Sequence, residues 1–216
     1  MPPQRTRIKI CGLTREQDVD AAVAAGADAV GFVLYAPSPR HVAPQRLAEL
    51  ARRLPPFVTP TCLLVNAEAA LVEEALAAVP HALLQFHGDE TPADCERFGR
   101  PYVRAARMAP GLDLLDFASR FASACGLLLD AFVEGYGGGG KAFDWSQIPQ
   151  GVPLPVVLSG GLNPANVIDG VMHVRPWAVD VSSGVESAKG VKDALLIRRF
   201  CEAVREADAR AADASH

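Results

Sequence analysis

Short apolar runs alternate with stretches whose hydrophobic residues recur at helical spacing, and the alternation continues along almost the whole chain. The apolar runs at 7–11, 28–35, 57–65, 82–87, 102–106, 127–130, 154–158 and 177–181 read as strands. Between them, 15–25, 44–54, 68–79, 92–98, 112–121 and 164–171 read as helices, and 145–148 fits a short helical turn. A long helix over 192–207 closes the pattern, with a frayed tail expected from about residue 207. Thr14 suits the N-cap of the first helix and Gly26 its end, while Pro44 suits the first turn of the second.

The strand runs are apolar at both odd and even positions, as expected when both faces of a sheet are covered. Strands separated by helices imply parallel pairing through right-handed crossovers. Eight such units within 216 residues predict a closed (β/α)8 TIM barrel, one domain over 1–216, rather than an open doubly wound sheet. No Gly-x-Gly-x-x-Gly opens an early helix, and no linker divides the chain.

Composition narrows the function classes. Half the residues are hydrophobic, enough to bury a large core. A formal charge of -4 argues against a nucleic-acid or anionic-membrane partner. No run is long and apolar enough to span a bilayer, and the start lacks a signal-peptide core. The five cysteines are scattered, odd in number and without a Cys-x-x-Cys pair. Free thiols in a reducing cytoplasm fit that pattern better than disulfides or a zinc site.

In a barrel of this kind the chemistry lies at the C-terminal strand ends. Lys9 and Cys11 share one side of the first strand, and a neighbouring ammonium favours a thiolate, so Cys11 is a candidate base. Position alone leaves it equally compatible with a small buried filler. Asp130 ends the sixth strand after three leucines, where a carboxyl suits a general acid or, as readily, a loop ion pair. Ser159-Gly160-Gly161 and Ser182-Ser183-Gly184 follow strands seven and eight. Loops at those two places bind phosphate through backbone amides, and this is the clearest signal in the chain. Asp180 precedes the second turn, either orienting it, meeting a sugar hydroxyl or serving structure. Arg40 follows strand two and offers a two-pronged grip on a carboxylate, although a lone arginine is more often a surface charge. Lys9 and His87 are further candidates for substrate contact, His87 reading more readily as a satisfied polar group. The glycine run 137–140 reads as a lid closing over substrate or, more plainly, as a disordered turn.

Together these residues resemble the phosphoribosylanthranilate isomerase family. The likeness runs through Lys9-Ile10-Cys11-Gly12-Leu13-Thr14, Gly31-Phe32-Val33-Leu34, Ser38-Pro39-Arg40, Gln85-Phe86-His87-Gly88 and Leu129-Asp130. It continues through Gly139-Gly140-Lys141, Phe143-Asp144-Trp145, Ser159-Gly160-Gly161-Leu162-Asn163-Pro164 and Asp180-Val181-Ser182-Ser183-Gly184-Val185-Glu186. The resemblance implies an Amadori rearrangement of N-(5-phosphoribosyl)anthranilate to 1-(2-carboxyphenylamino)-1-deoxyribulose 5-phosphate, the third step of the tryptophan branch from chorismate. It implies Asp130 as general acid, Cys11 as general base and Arg40 facing the anthranilate carboxylate. Gly160, Gly161, Ser182, Ser183 and Gly184 match the phosphate cradle, with Asp180 beside it. Proton transfers suffice, so no metal or redox cofactor is implied. The family's lid commonly reads Gly-Gly-Thr-Gly-Lys, whereas Gly139 stands at the threonine's place, which predicts a looser lid. A pentose-phosphate epimerase would want metal-binding His and Asp at strand ends, and an indole-glycerol-phosphate synthase several Lys and Glu. A non-catalytic phosphosugar-binding barrel would need neither Cys11 nor Asp130. Monomer and homodimer both stay open.

Overall fold

The eight apolar runs close on themselves as parallel strands, each paired with its sequence neighbours, with the eighth returning to the first. The computed structural model describes residues 5–132 and 143–214. Its elements are β1 (Arg7–Cys11), α1 (Glu16–Ala24), β2 (Ala29–Val33), α2 (Pro44–Ala51), β3 (Thr59–Leu64), α3 (Ala69–Ala78), β4 (Leu83–Phe86), α4 (Pro92–Glu96), β5 (Tyr102–Met108) and α5 (Leu114–Arg120). They continue with β6 (Gly126–Ala131), β7 (Val156–Leu158), α6 (Val167–Val174), β8 (Ala178–Val181), β9 (Glu186–Ala188), β10 (Val191–Lys192) and α7 (Ala194–Asp213). The glycine run read as a lid lies outside the described residues. Among the described residues no helix is long and apolar enough to cross a membrane.

The double-sided burial predicted for the strands has two physical origins. Ile8 and Ile10 face outward and join the large core beneath the helices, where Val19, Ile197 and Phe200 are fully buried. Inward, Val103, Ala105 and Leu128 form a separate cluster inside the barrel. The barrel interior is thus a filled core, and the strand ends at its rim are held in fixed relation.

Side-chain caps fix several helix starts. Thr91 and Asp94 form a reciprocal capping box on α4, and Asp113 accepts the Leu115 and Asp116 N–H groups at 3.0 Å on α5. Thr14, expected to cap α1, does not: the cap position is Arg15, and the Thr14 hydroxyl donates to the Gly190 carbonyl at 2.9 Å. That bond ties the β1–α1 loop to the β9–β10 hairpin, a stronger use for a hydroxyl already turned from the helix.

Two further expectations at the C-terminal end change. Lys192 is not helical; it ends β10, and Asp193 caps α7 by accepting the Leu195 and Leu196 N–H groups. Nor does the chain fray at residue 207, since α7 continues to Asp213. Ala207 is fully buried, and the Asp208 carboxylate accepts the Thr6 N–H at 2.8 Å and the Thr6 hydroxyl at 2.7 Å. An alanine-rich stretch reads as weak until its docking partner, here the start of β1, is known.

Phe200 anchors α7 against the barrel, with no exposed surface. Phe200→Ala is expected to destabilise the fold by about 3–5 kcal/mol, seen as a lower midpoint in urea unfolding at unchanged slope.

Candidate active site

Parallel strands deliver their last residues to one rim, and the predicted site residues meet there. Cys11 from β1, His87 after β4, Asp130 from β6, Gly160 and Gly161 after β7, and Ser182 and Ser183 after β8 line a single cavity. Arg40, from the β2–α2 loop, and Asp180 share its wall. Lys9 lies one layer deeper, outside this lining and inside the barrel.

Lys9 and Asp180 are register partners across β1 and β8, and their side chains form a buried ion pair at 2.7 Å. The other Asp180 oxygen accepts the Ser159 hydroxyl at 3.1 Å. Burial alone would pull the Lys9 ammonium down, yet Asp180 and Cys11 outweigh it and hold it above the ordinary lysine value. The expected activation of the thiol by Lys9 is overridden. Burial pushes the Cys11 thiol up and Asp180 adds to that, against the lowering effects of Lys9 and Lys192.

Room for the sulfur comes from the neighbouring strand. Cys11 pairs in register with Gly31, and a Cβ on Gly31 would stand 2.6 Å from the Cys11 sulfur and 3.1 Å from the Lys9 nitrogen. Across the rim, the Asp130 carboxylate accepts the Ala131 N–H at 3.0 Å, and His87 Nε2 lies 3.1 Å from its other oxygen. The Gln85 amide nitrogen meets His87 Nδ1 at 3.3 Å, so Nδ1 accepts and Nε2 donates to Asp130. His87, which the sequence left as a generic polar group, therefore holds the carboxyl of Asp130.

The two glycine-serine turns are built for close backbone approach. Gly160 and Gly161 have φ of 75° and 69°, and a Cβ on Gly160 would fall 2.4 Å from the Ala131 nitrogen. A Cβ on Gly184 would fall 1.9 Å from the Leu162 carbonyl oxygen. The N–H groups of Gly160 and Gly161 have no hydrogen-bond partner among the described residues. Backbone donors of this kind at strands seven and eight are suited to an anion.

Arg40 differs from expectation. Its two-pronged edge is already engaged, with Nε and Nη2 donating to the two Glu186 oxygens at 2.7 Å each. Glu186 in turn accepts Lys192 Nζ at 2.8 Å, and Lys192 also donates to the Ser182 carbonyl at 3.0 Å and hydroxyl at 3.2 Å. Burial drives Glu186 up, but the Arg40 and Lys192 contacts win and hold it below the usual carboxylate range. Burial pulls Lys192 below the ordinary lysine value against the Glu186 contact. The sequence did not single out Lys192 or the Glu186–Arg40 pair. The only hint was a lone lysine between Val191 and Asp193, in a stretch otherwise patterned as helix.

Because Cys11 is raised, its thiolate appears only above the ordinary thiol range. Alkylation of the Cys11 peptide by iodoacetamide, followed by mass spectrometry, should climb with pH beyond about 9; a plateau already reached at neutral pH contradicts the assignment.

Residues 8–203 match the family described as N-(5'-phosphoribosyl)anthranilate (PRA) isomerase. A Leptothrix cholodnii protein named N-(5'-phosphoribosyl)anthranilate isomerase is 71% identical over 215 residues, covering 100% of this chain and 98% of that one. A Methylibium petroleiphilum protein of the same name is 72% identical over 208 residues, covering 96% and 98%. Among solved structures, phosphoribosyl anthranilate isomerase from Thermotoga maritima superposes with a TM-score of 0.84 at 38% identity, over 93% of this chain and 99% of that one. A further structure of a phosphoribosyl anthranilate isomerase, in complex with reduced 1-(o-carboxyphenylamino)-1-deoxyribulose 5-phosphate, gives 0.79 at 34%, over 93% and 99%. With the barrel, the thiol and carboxyl at its rim and these likenesses in agreement, the chain belongs to the N-(5'-phosphoribosyl)anthranilate isomerase family.

Proposed function

We propose that this chain catalyses the Amadori rearrangement of N-(5-phosphoribosyl)anthranilate in tryptophan biosynthesis, with Asp130 as acid and Cys11 as base. The observation that carries the reading is the convergence of a thiol, a carboxyl, a guanidinium and an amide cradle on one cavity. A related isomerase binds a reduced product that carries both a phosphate and a carboxylate, the two anions that such a cavity addresses.

Asp130, oriented by His87, gives a proton to the furanose ring oxygen as the C1–O bond breaks, leaving a protonated imine at C1. Cys11 then takes the proton from C2, and the electron pair moves to form the C1–C2 double bond of an enolamine. Protonation at C1 and loss of the C2 hydroxyl proton give the ketone, so the reaction is an isomerisation with no net redox change. Gly160, Gly161, Ser182, Ser183 and Gly184 hold the phosphate, while Arg40 faces the anthranilate carboxylate through its remaining donors. Asp180 and Lys9 form the floor beneath the base. All five cysteines are free thiols, which supports a reducing compartment such as the cytoplasm.

A homodimer through the N-terminal barrel end is the assembly we infer. Phe57, just before β3, is wholly exposed at a φ of 73°, and Trp177, just before β8, is 41% exposed. Bulky apolar side chains at one end of a barrel favour a covering surface. The Thermotoga maritima relative is described as dimeric, with monomers generated from it. Light scattering on the purified protein should return twice the chain mass, and Phe57→Glu should halve it.

Cys11→Ser and Asp130→Asn are each expected to cut turnover of freshly made phosphoribosylanthranilate by about 10²–10⁴-fold, followed as loss of anthranilate fluorescence, with an unchanged far-UV spectrum. Near-normal turnover in both variants overturns the acid–base assignment.

A further inference from the structure

Arg40 presents a difficulty as an anion receptor. Its guanidinium is held in a buried, two-pronged pair with Glu186, and an isolated pair of that kind is neutral. A neutral pair in a buried site has little attraction left for a second carboxylate. The charge that resolves this comes from the β9–β10 hairpin. Lys192 Nζ is wholly buried and meets three acceptors, the Ser182 carbonyl, the Ser182 hydroxyl and Glu186 Oε1. Three acceptors match the three N–H donors of an ammonium.

We propose that Lys192 is the residue that makes Arg40 an anion receptor: by sharing Glu186 with it, Lys192 leaves the three-residue cluster with one net positive charge facing the substrate carboxylate. This rests on the proposed role of Arg40. The Lys9–Asp180 pair, which reaches beneath this wall, is internally balanced and adds no net charge. Arg40 Nη1 has no partner among the described residues and is the donor left to meet the incoming carboxylate. Lys192 acts at the second anion as well. Its contact uses Ser182 Oγ as an acceptor, so the hydroxyl proton is free to point toward a phosphate. Lys192 touches no reacting atom and is a positioning residue, linking the two ends of the substrate through one buried cation.

The test compares two ligands by calorimetry: the reduced product named above, and the same compound with phenyl in place of carboxyphenyl. Their Kd ratio reads the contribution of the carboxylate alone. Lys192→Met should shrink that ratio by about tenfold, by leaving Arg40 neutralised by Glu186. Lys192→Met/Glu186→Gln restores one net positive charge and should recover most of the ratio. A purely structural tie predicts the opposite, because the double variant removes still more contacts. A full ratio in Lys192→Met, or no recovery in the double variant, overturns the proposal. Should Lys192→Met fail to fold, Glu186→Gln alone must enlarge the ratio, and a smaller one counts against the idea. Arg40→Met separates the two levels. If it leaves the ratio intact, the role of Arg40 itself is wrong; if it abolishes the ratio while Lys192→Met does not, only the inference about Lys192 fails.

Discussion

The Lys9–Asp180 ion pair lies where β8 returns to β1 and the barrel closes. Both side chains are almost out of contact with water, so neither tolerates the loss of the other; breaking such a pair typically costs about 3–5 kcal/mol. The pair spans the seam, reaches the end of β7 through Ser159, and sits directly beneath Cys11. The rim residues therefore rest on a floor whose charge is already balanced. A barrel whose centre held an unpaired lysine or aspartate would have to admit water, and the dry surroundings of the thiol would be lost.

That balance explains why Cys11 is not a ready-made thiolate. Lys9 spends its charge on Asp180, and burial then dominates at Cys11. A thiol held above its ordinary value is a stronger base once deprotonated, though less often deprotonated at rest. The positive charge of the cluster beside it, from Arg40 and Lys192 less Glu186, works in the other direction, with Lys192 lowering the thiol. Cys11 and the Arg40–Glu186–Lys192 cluster thus share one electrostatic field, with Lys192 acting on the sulfur.

What could be read from the sequence follows the range of the interactions involved. The barrel was legible because strand burial on two faces leaves a local mark, and the two tight turns because Gly160, Gly161 and Gly184 sit at fixed places after strands seven and eight. Cys11 and Asp130 needed the family likeness, since position alone left each open. The misses are one local hairpin and several distant contacts. Lys192 looked helical because Asp193 and the turns of α7 follow it, and the β9–β10 hairpin, which carries no turn or strand pattern of its own, folds it back onto Glu186 and Ser182. Thr14 carried a cap signature but found Gly190, 176 residues away. The end of α7 appeared weak because Asp208 has its partner at Thr6, at the other end of the chain. His87 was undervalued for the same reason, its neighbour Asp130 being two strands further round the barrel.

Gly31 has a consequence for how such a site can change over time. The space occupied by the Cys11 sulfur exists because the adjacent strand has no side chain there. A methyl at residue 31 would crowd the sulfur at residue 11 in its present position and force it to turn away. The two positions form a single unit of inheritance. A lineage that acquires the glycine first gains the thiol in place, and one that discards the glycine displaces the sulfur, so the order of substitutions that costs least is set by one missing carbon atom.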